Sequence, residues 1–409
     1  MPYQFTLLKM DYKPDQKILD NYADIMVNYA LNNGRGIKAG ETVFLQVQEY
    51  AKPLLMAIYR AVLKAKAHPI VEFIPDEMQK DFFTLANESQ INYFPTHFYK
   101  GKVKQADHFL SIIAETDKHE LEGIDPQKIM QRNLSLKPYR DWRRQKESQH
   151  KFSWTLALYP TPSMAAEASL SLKQCWQQVI KSCYLDNQNP VKRWQEIQKN
   201  MDLFKKKLNK LPIDHLRIES QNTDLIIGVD QNRQWLGGEG CNIPSFEIFI
   251  SPDWRRSEGH ISFDQPLYRY GNVIKDIYLE FKNGLVVKSK ASTGENVLQK
   301  MIATKNADKV GEFSLTDKNF SRINKFMAET LYDENFGGKY GNTHIALGDS
   351  FHESYSKNPK NIKDSQWSQM GFNDSVIHTD IISTANRTVT AFLTDDTSKV
   401  IYKDGHFLI

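Results

Sequence analysis

Apolar positions recur with different periods in the two halves of this chain. Over residues 15–31, Ile18, Leu19, Tyr22, Ile25, Met26 and Tyr29 fall at helical spacing, and Gly34, Gly36 and Gly40 punctuate the exit. Residues 42–47 (TVFLQV) alternate as a strand does, and 53–65 return to helical intervals. Short apolar runs at 69–73, 108–113 and 152–158 predict further strands. This rhythm predicts a mostly parallel sheet with helices packed on it, because parallel neighbours need a crossover between them. A turn-rich break at 186–190 precedes a long, charged amphipathic helix over 191–210, which Leu211-Pro212 ends.

From His215 onward strands dominate: LRIES, DLIIGV, EIFISP, DIYLEF and GLVVKS. Asn283-Gly284 marks a hairpin, since both residues tolerate the positive φ of a tight turn. Residues 294–304 and 321–332 read as helices. The expected fold is an α/β, Rossmann-like domain over 1–210 and a mixed α+β domain over 211–409. No G-x-G-x-x-G or G-x-x-x-x-G-K-[ST] loop follows any strand, so the Rossmann-like shape does not imply a nucleotide.

Composition narrows the class. The 409 residues allow two or three domains, and 40% hydrophobic with 25% charged is ordinary for a soluble protein. A net charge of +4, from 53 basic against 49 acidic residues, argues against nucleic acid as a partner. The dense basic run, residues 139–146, reads as a solvated helix face. No apolar run reaches the roughly 18 residues of a membrane span, and the opening residues show no secretory signal. Cys175, Cys183 and Cys241 lack metal or disulfide spacing, which suits a reducing cytoplasm. Cys241 reads as a small packing residue.

Five side chains in the second half carry the candidate chemistry: Glu247, Glu312, His344, His378 and Asp380. Two imidazoles and three carboxylates suit a pair of divalent ions such as Zn²⁺, Co²⁺ or Mn²⁺. Glu247 is the one charge in SFEIFIS, and alternation sets it with Phe249 and Ser251 against Phe246, Ile248 and Ile250. His378 and Asp380 flank Thr379, so a strand would aim both at one cation. Each residue also has a plainer reading: an exposed edge glutamate, a turn residue or a hydrogen-bonded histidine.

The segments around these residues resemble the aminopeptidase T and aminopeptidase S family of metallo-aminopeptidases, the thermophilic metalloproteases. The resemblance is carried by CNIPSFEIFISP, DIYLEFKNGLVV, VGEFSL, LYDENFGGKYGNTHIALGDSF and IHTDIIS, in the family's order, and by a closing VIYKDGHFLI. It implies a dinuclear site and removal of the N-terminal residue from short peptides by a metal-bridged hydroxide. Glu312 would be ligand or base. Glu334, in the family's acidic DEN element, joins the candidate ligands, with a supporting role or a surface position as its alternatives. Asp349 reads as a turn residue or an acceptor for a histidine N–H. A homodimer or an interdomain cleft would exclude long chains.

The chain departs from the family pattern at Phe246, Thr379 and Phe351. At Phe351 a tyrosine is usual, and its phenol could donate to an oxyanion. His352 and Tyr355 are the candidates to replace that donor. A weak or inactive metal-binding relative and a non-hydrolytic α/β binding protein are the competing readings.

Overall fold

The computed structural model describes residues 12–359 and 362–409. The opening segment 1–11, where the absence of a secretory signal is read, lies outside them. Asp15 caps the first helix, Gln16–Ile25, by accepting from the Ile18 N–H, and the helix buries Leu19, Tyr22, Ala23 and Ile25. It continues through a wider turn, Met26–Ala30. Helix Lys52–Lys64 carries a proline in its first turn, where no intrahelical N–H is missed.

The strands of the first half form the expected parallel sheet, in the order His68–Ile74, Thr42–Gln48, His108–Ile113, Ser153–Leu158. Its fifth member is Asn242–Ile243, contributed from beyond residue 210. Helix Pro190–Leu208 precedes that strand in the chain and is buried through Trp194, Ile197 and Met201. The strand-rich remainder builds an eight-stranded antiparallel sheet and a separate four-stranded one. The Asn283-Gly284 turn joins Tyr278–Lys282 to Leu285–Lys290, with φ of 51° and 81°. The closing hairpin pairs Ser398–Lys403 with His406–Phe407. One apolar core runs from Leu19 through Trp176 and Trp194 to Phe407, so both halves share it. None of the described helices is long and apolar enough to cross a membrane.

Two expectations fail. Residues 321–329 are not helical; only Thr330–Asp333 makes a short turn of helix. The Asp333 carboxylate captures the N–H groups of Met327 and Glu329, and Ser321 hydroxyl bonds the Asn335 carbonyl. Side chains thus satisfy the local backbone that a helix would have paired with itself. The basic run does form a helix, Lys137–Ser148, yet its charges are held against protein rather than solvated.

Candidate metal centre

Strand alternation builds the site. The four-stranded sheet runs His378–Ser383, Asn342–Gly348, Val310–Thr316, Glu247–Ile250, all antiparallel. In its register Glu247 lies opposite Thr316, Ser314 opposite His344, and Ala346 opposite both Glu312 and Asp380; His378 faces Gly348. With a side-chain period of two, Glu247, Glu312, His344, His378 and Asp380 all share one face. The other face carries Ile248, Ile250, Phe313, Leu315, Ile345, Leu347 and Ile381, each fully buried. The same alternation that fills the core therefore gathers the polar set.

The five converge as the sequence suggests. His344 Nε2 lies 3.0 Å from Glu312 Oε1, 3.3 Å from Glu247 Oε2 and 3.8 Å from Asp380 Oδ1. His378 Nε2 lies 3.6 Å from Glu312 Oε2 and 3.5 Å from Asp380 Oδ1. Glu247, Glu312 and His344 offer ligand atoms all within 4.8 Å of one another, and so do Glu312, His378 and Asp380. Glu312 belongs to both groups. Glu334 stands outside these groups but is only 5% exposed, so it is not a surface acid. It accepts from Asn242 at 2.9 Å and from Asn335 at 3.4 Å.

Several supports surround the five. Ser314 hydroxyl donates to Glu247 at 3.3 Å. The main-chain carbonyl of Asp349, not its carboxylate, holds His378 Nδ1 at 3.0 Å. Gly311 lets its strand pass that carbonyl: a Cβ there would sit 2.1 Å from Asp349 O, and the ladder shifts register between Val310 and Glu312. Gly341 turns the chain into the His344 strand at φ +58°, where a Cβ would lie 2.2 Å from the Thr316 carbonyl. Of these, Ser314 had no mark in the sequence, whereas Asp349, Gly311 before Glu312 and Gly341 ahead of His344 were legible there.

Crowding sets the electrostatics. Burial raises the Glu247 pKa to about 8; His344 opposes the rise, and Glu312 and Asp380 add to it. Burial, then the charges of Glu247, Asp380 and Glu312, push Glu334 well above the carboxylate range. Burial lowers the imidazoles, but the carboxylates outweigh it: His344 rises to about 9 through its Glu312 bond, and His378 to about 10 through Asp380. His378 keeps 29% of its side-chain surface, yet protein surrounds the ring closely enough for those carboxylates to govern it. Asp380, despite burial, falls to about 2 because of His378. His344 Nδ1 is buried with no hydrogen-bond partner among the described residues. The donor set fits divalent cations: imidazole nitrogen and carboxylate oxygen lie in mutual reach.

The sequence model of the thermophilic metalloproteases (M29) matches residues 15–407. The chain belongs to that family. As an M29 member it is a peptide hydrolase. Aminopeptidase PepS of Streptococcus thermophilus is 25% identical over 96% of this chain and 100% of its own length. Aminopeptidase T of Thermus thermophilus is 22% identical over 96% of this chain and 98% of its own. The solved structure of wild-type AmpT from Thermus thermophilus superposes with a TM-score of 0.81 at 21% identity, covering 96% of this chain and 100% of that one. The α/β architecture with its separate antiparallel sheets is thus the fold shared with AmpT. Family membership favours hydrolysis over a non-hydrolytic α/β binding protein.

In this M29 chain the cluster sits in a cleft of about 1030 Å³, walled from the first half by Trp142, Arg144 and Trp154 and from the second by Phe249, Phe351 and Trp367. The residues that depart from the family pattern have visible surroundings. Phe246 is buried and stacks on Trp194 at 5.4 Å. Thr379 points to the core face and is buried. Phe351 packs on the rim, edge to face with His378 at 5.0 Å and 5.4 Å from Phe249. His352 lies flat on Trp367 at 3.9 Å, and Tyr355 meets the same indole edge-on at 5.5 Å. Cys241 lines the cleft, but burial and nearby carboxylates raise its thiol well above the usual range, which suits a packing role.

Proposed function

We propose that the chain is an aminopeptidase that uses two divalent ions, Zn²⁺, Co²⁺ or Mn²⁺, to remove the N-terminal residue of short peptides. The observation that carries this reading is the pair of ligand groups that share Glu312. Glu247 and His344 would hold one ion, His378 and Asp380 the other, with Glu312 between them and Glu334 completing the set. The bound ions would supply an acidified water and polarise the scissile carbonyl.

The chain's own side chains do the rest. Ser314 and Asn242 orient Glu247 and Glu334 by donating to them. The Asp349 carbonyl accepts the His378 Nδ1 proton, so Nε2 is the nitrogen that would meet a cation. Phe249 and Phe351 form an apolar rim beside the cluster. Glu312 is our choice for carrying a proton from the attacking water to the leaving amine, because it belongs to both ligand groups and lies 3.0 Å from His344 and 3.6 Å from His378. The substrate's ammonium would meet carboxylates, and the cleft is sized for short peptides rather than folded chains. A cytoplasmic homodimer belongs to the same proposal, supported by the family resemblance and by three free cysteines.

Plasma emission after Co²⁺ loading and desalting should find two ions per chain, and leucyl-p-nitroanilide and Leu-Gly should be cleaved while N-acetyl-Leu-Gly is not. A saturated value of one ion, or equal cleavage of the acetylated peptide, would overturn the reading.

A further inference from the structure

The basic helix Lys137–Ser148 has no part in that mechanism, yet its cations are turned inward. Lys146 donates to the carbonyls of Val103, at 2.9 Å, and Ala106. Arg143 lies over the rings of Phe109 and Phe152, at 4.9 and 5.3 Å. These two fasten the helix to the parallel sheet's side of the molecule. Arg140 and Arg144 point the other way: Arg140 donates to the Val376 carbonyl at 3.1 Å, and Arg144 bonds the Asp349 carboxylate. One contact lands on the segment leading into His378 and the other on the residue just past the Asn342–Gly348 strand, whose carbonyl meets the His378 ring.

Asp349 is the junction. Its carboxylate also accepts from the Ser375 N–H at 3.2 Å, and its own N–H donates to the Ile377 carbonyl at 2.7 Å. Its carbonyl takes the His378 Nδ1 proton. The peptide unit that carries this carbonyl is held at its other end too, where the Ser350 N–H donates to the Asn373 carbonyl at 2.9 Å, and the carbonyl direction decides which histidine nitrogen faces the carboxylates. Residues that orient a ligating imidazole through its second nitrogen typically change metal affinity 10- to 100-fold when lost.

We infer that Arg144 is a positioning residue for the metal centre: by holding the Asp349 carboxylate from across the cleft, it fixes the carbonyl that aims His378 Nε2 at Glu312 and Asp380. The inference rests on the two-ion reading above. It makes the N-terminal half part of the site, although all the candidate ligands lie in the C-terminal half.

The test is calorimetric titration with Co²⁺ of metal-free wild type, Arg144→Met, Arg144→Lys and the double variant Arg144→Met/Asp349→Asn, with melting temperature recorded for each. The double variant leaves no buried unpaired charge, so it separates loss of orientation from loss of fold. Arg144→Met and the double variant should bind one ion as wild type does and the other 10- to 100-fold more weakly, with Arg144→Lys recovering most of the loss. If wild type holds two ions and every variant holds both with unchanged affinity, whatever the melting temperatures, Arg144 is a structural ion-pair residue and the inference falls alone. If wild type holds fewer than two, the two-ion reading falls and takes the inference with it.

Discussion

Phe351→Tyr tests whether the departure at the cleft rim limits turnover. The ring lies edge to face on His378, with centroids 5.0 Å apart and planes at 73°, so it borders the reacting region without supplying a ligand atom. Its backbone is anchored by the N–H donating to Ser251 hydroxyl at 2.8 Å, which fixes where a tyrosine ring would start. The side chain is partly exposed and lines the cleft, so a new hydroxyl would meet open cleft rather than sealed core. The cost of about 1–3 kcal/mol for a stranded buried hydroxyl therefore does not apply, and the melting temperature should move by no more than about 2 °C.

The gain, if the phenol reaches the developing oxyanion, is that of one well-placed donor: about 10²–10³ in kcat, or about 2.7–4 kcal/mol. Because the bond strengthens mainly as charge develops, KM should change little. Steady-state kinetics on an aminoacyl-p-nitroanilide, with Co²⁺ loading equalised by metal analysis, reads the ratio directly. An unchanged kcat with a lowered melting temperature would refute the reasoning: Phe351 would then be rim packing, and the oxyanion would be stabilised without any phenol.

Glu312→Gln removes the carboxylate shared by both ligand groups, so saturated Co²⁺ should fall from two ions to at most one, measured by plasma emission, with peptide hydrolysis reduced at least about 10³-fold. His352 is pushed down to about 3 by burial and by Arg144, so it is neutral when folded and regains a proton on unfolding below about pH 6.5. Its share of stability is complete above that pH and declines by about 1 kcal/mol per pH unit toward pH 3; urea unfolding of His352→Gln should show a correspondingly flatter loss than wild type between pH 6 and 4. Phe313→Ala, on the buried face behind the ligands and 6.3 Å from Trp235, should cost about 3–5 kcal/mol in the same unfolding assay.

How much was legible follows from what each feature depends on. Period alone located four of the five strands of the parallel sheet, all but Asn242–Ile243, and helix Pro190–Leu208, because burial on one face leaves its trace in the sequence. Period also set His378 and Asp380 on one face, and the i, i+2 spacing needed only that the segment be a strand. The convergence of four separate strands was not written locally; it follows from register, and only the family resemblance tied the motifs together in advance. Residues 321–329 misled because their apolar spacing is helical while the N–H groups of Met327 and Glu329 are taken by the Asp333 side chain instead of by helical carbonyls. The basic run misled for a related reason. Charge in sequence says nothing about a facing carboxylate 205 positions away, as Asp349 is from Arg144.

Ligands and core are two faces of one four-stranded sheet, which constrains how the site can fail. A one-residue slip of any strand would carry its ligand to the core side and an isoleucine or phenylalanine to the metal side. The slip is opposed by the full burial of Ile248, Phe313, Leu315, Ile345 and Ile381, so the apolar face holds the register that the polar face needs. Gly311 adds the single irregularity in this arrangement, letting the Glu312 strand pass under the carbonyl that orients His378. Substitutions behind the sheet should therefore act on metal binding through register and strand position, whereas substitutions at Arg144 should act through one peptide plane. The two classes differ in what they move: the first shifts stability and metal affinity together, the second shifts affinity for one ion while leaving the sheet in place.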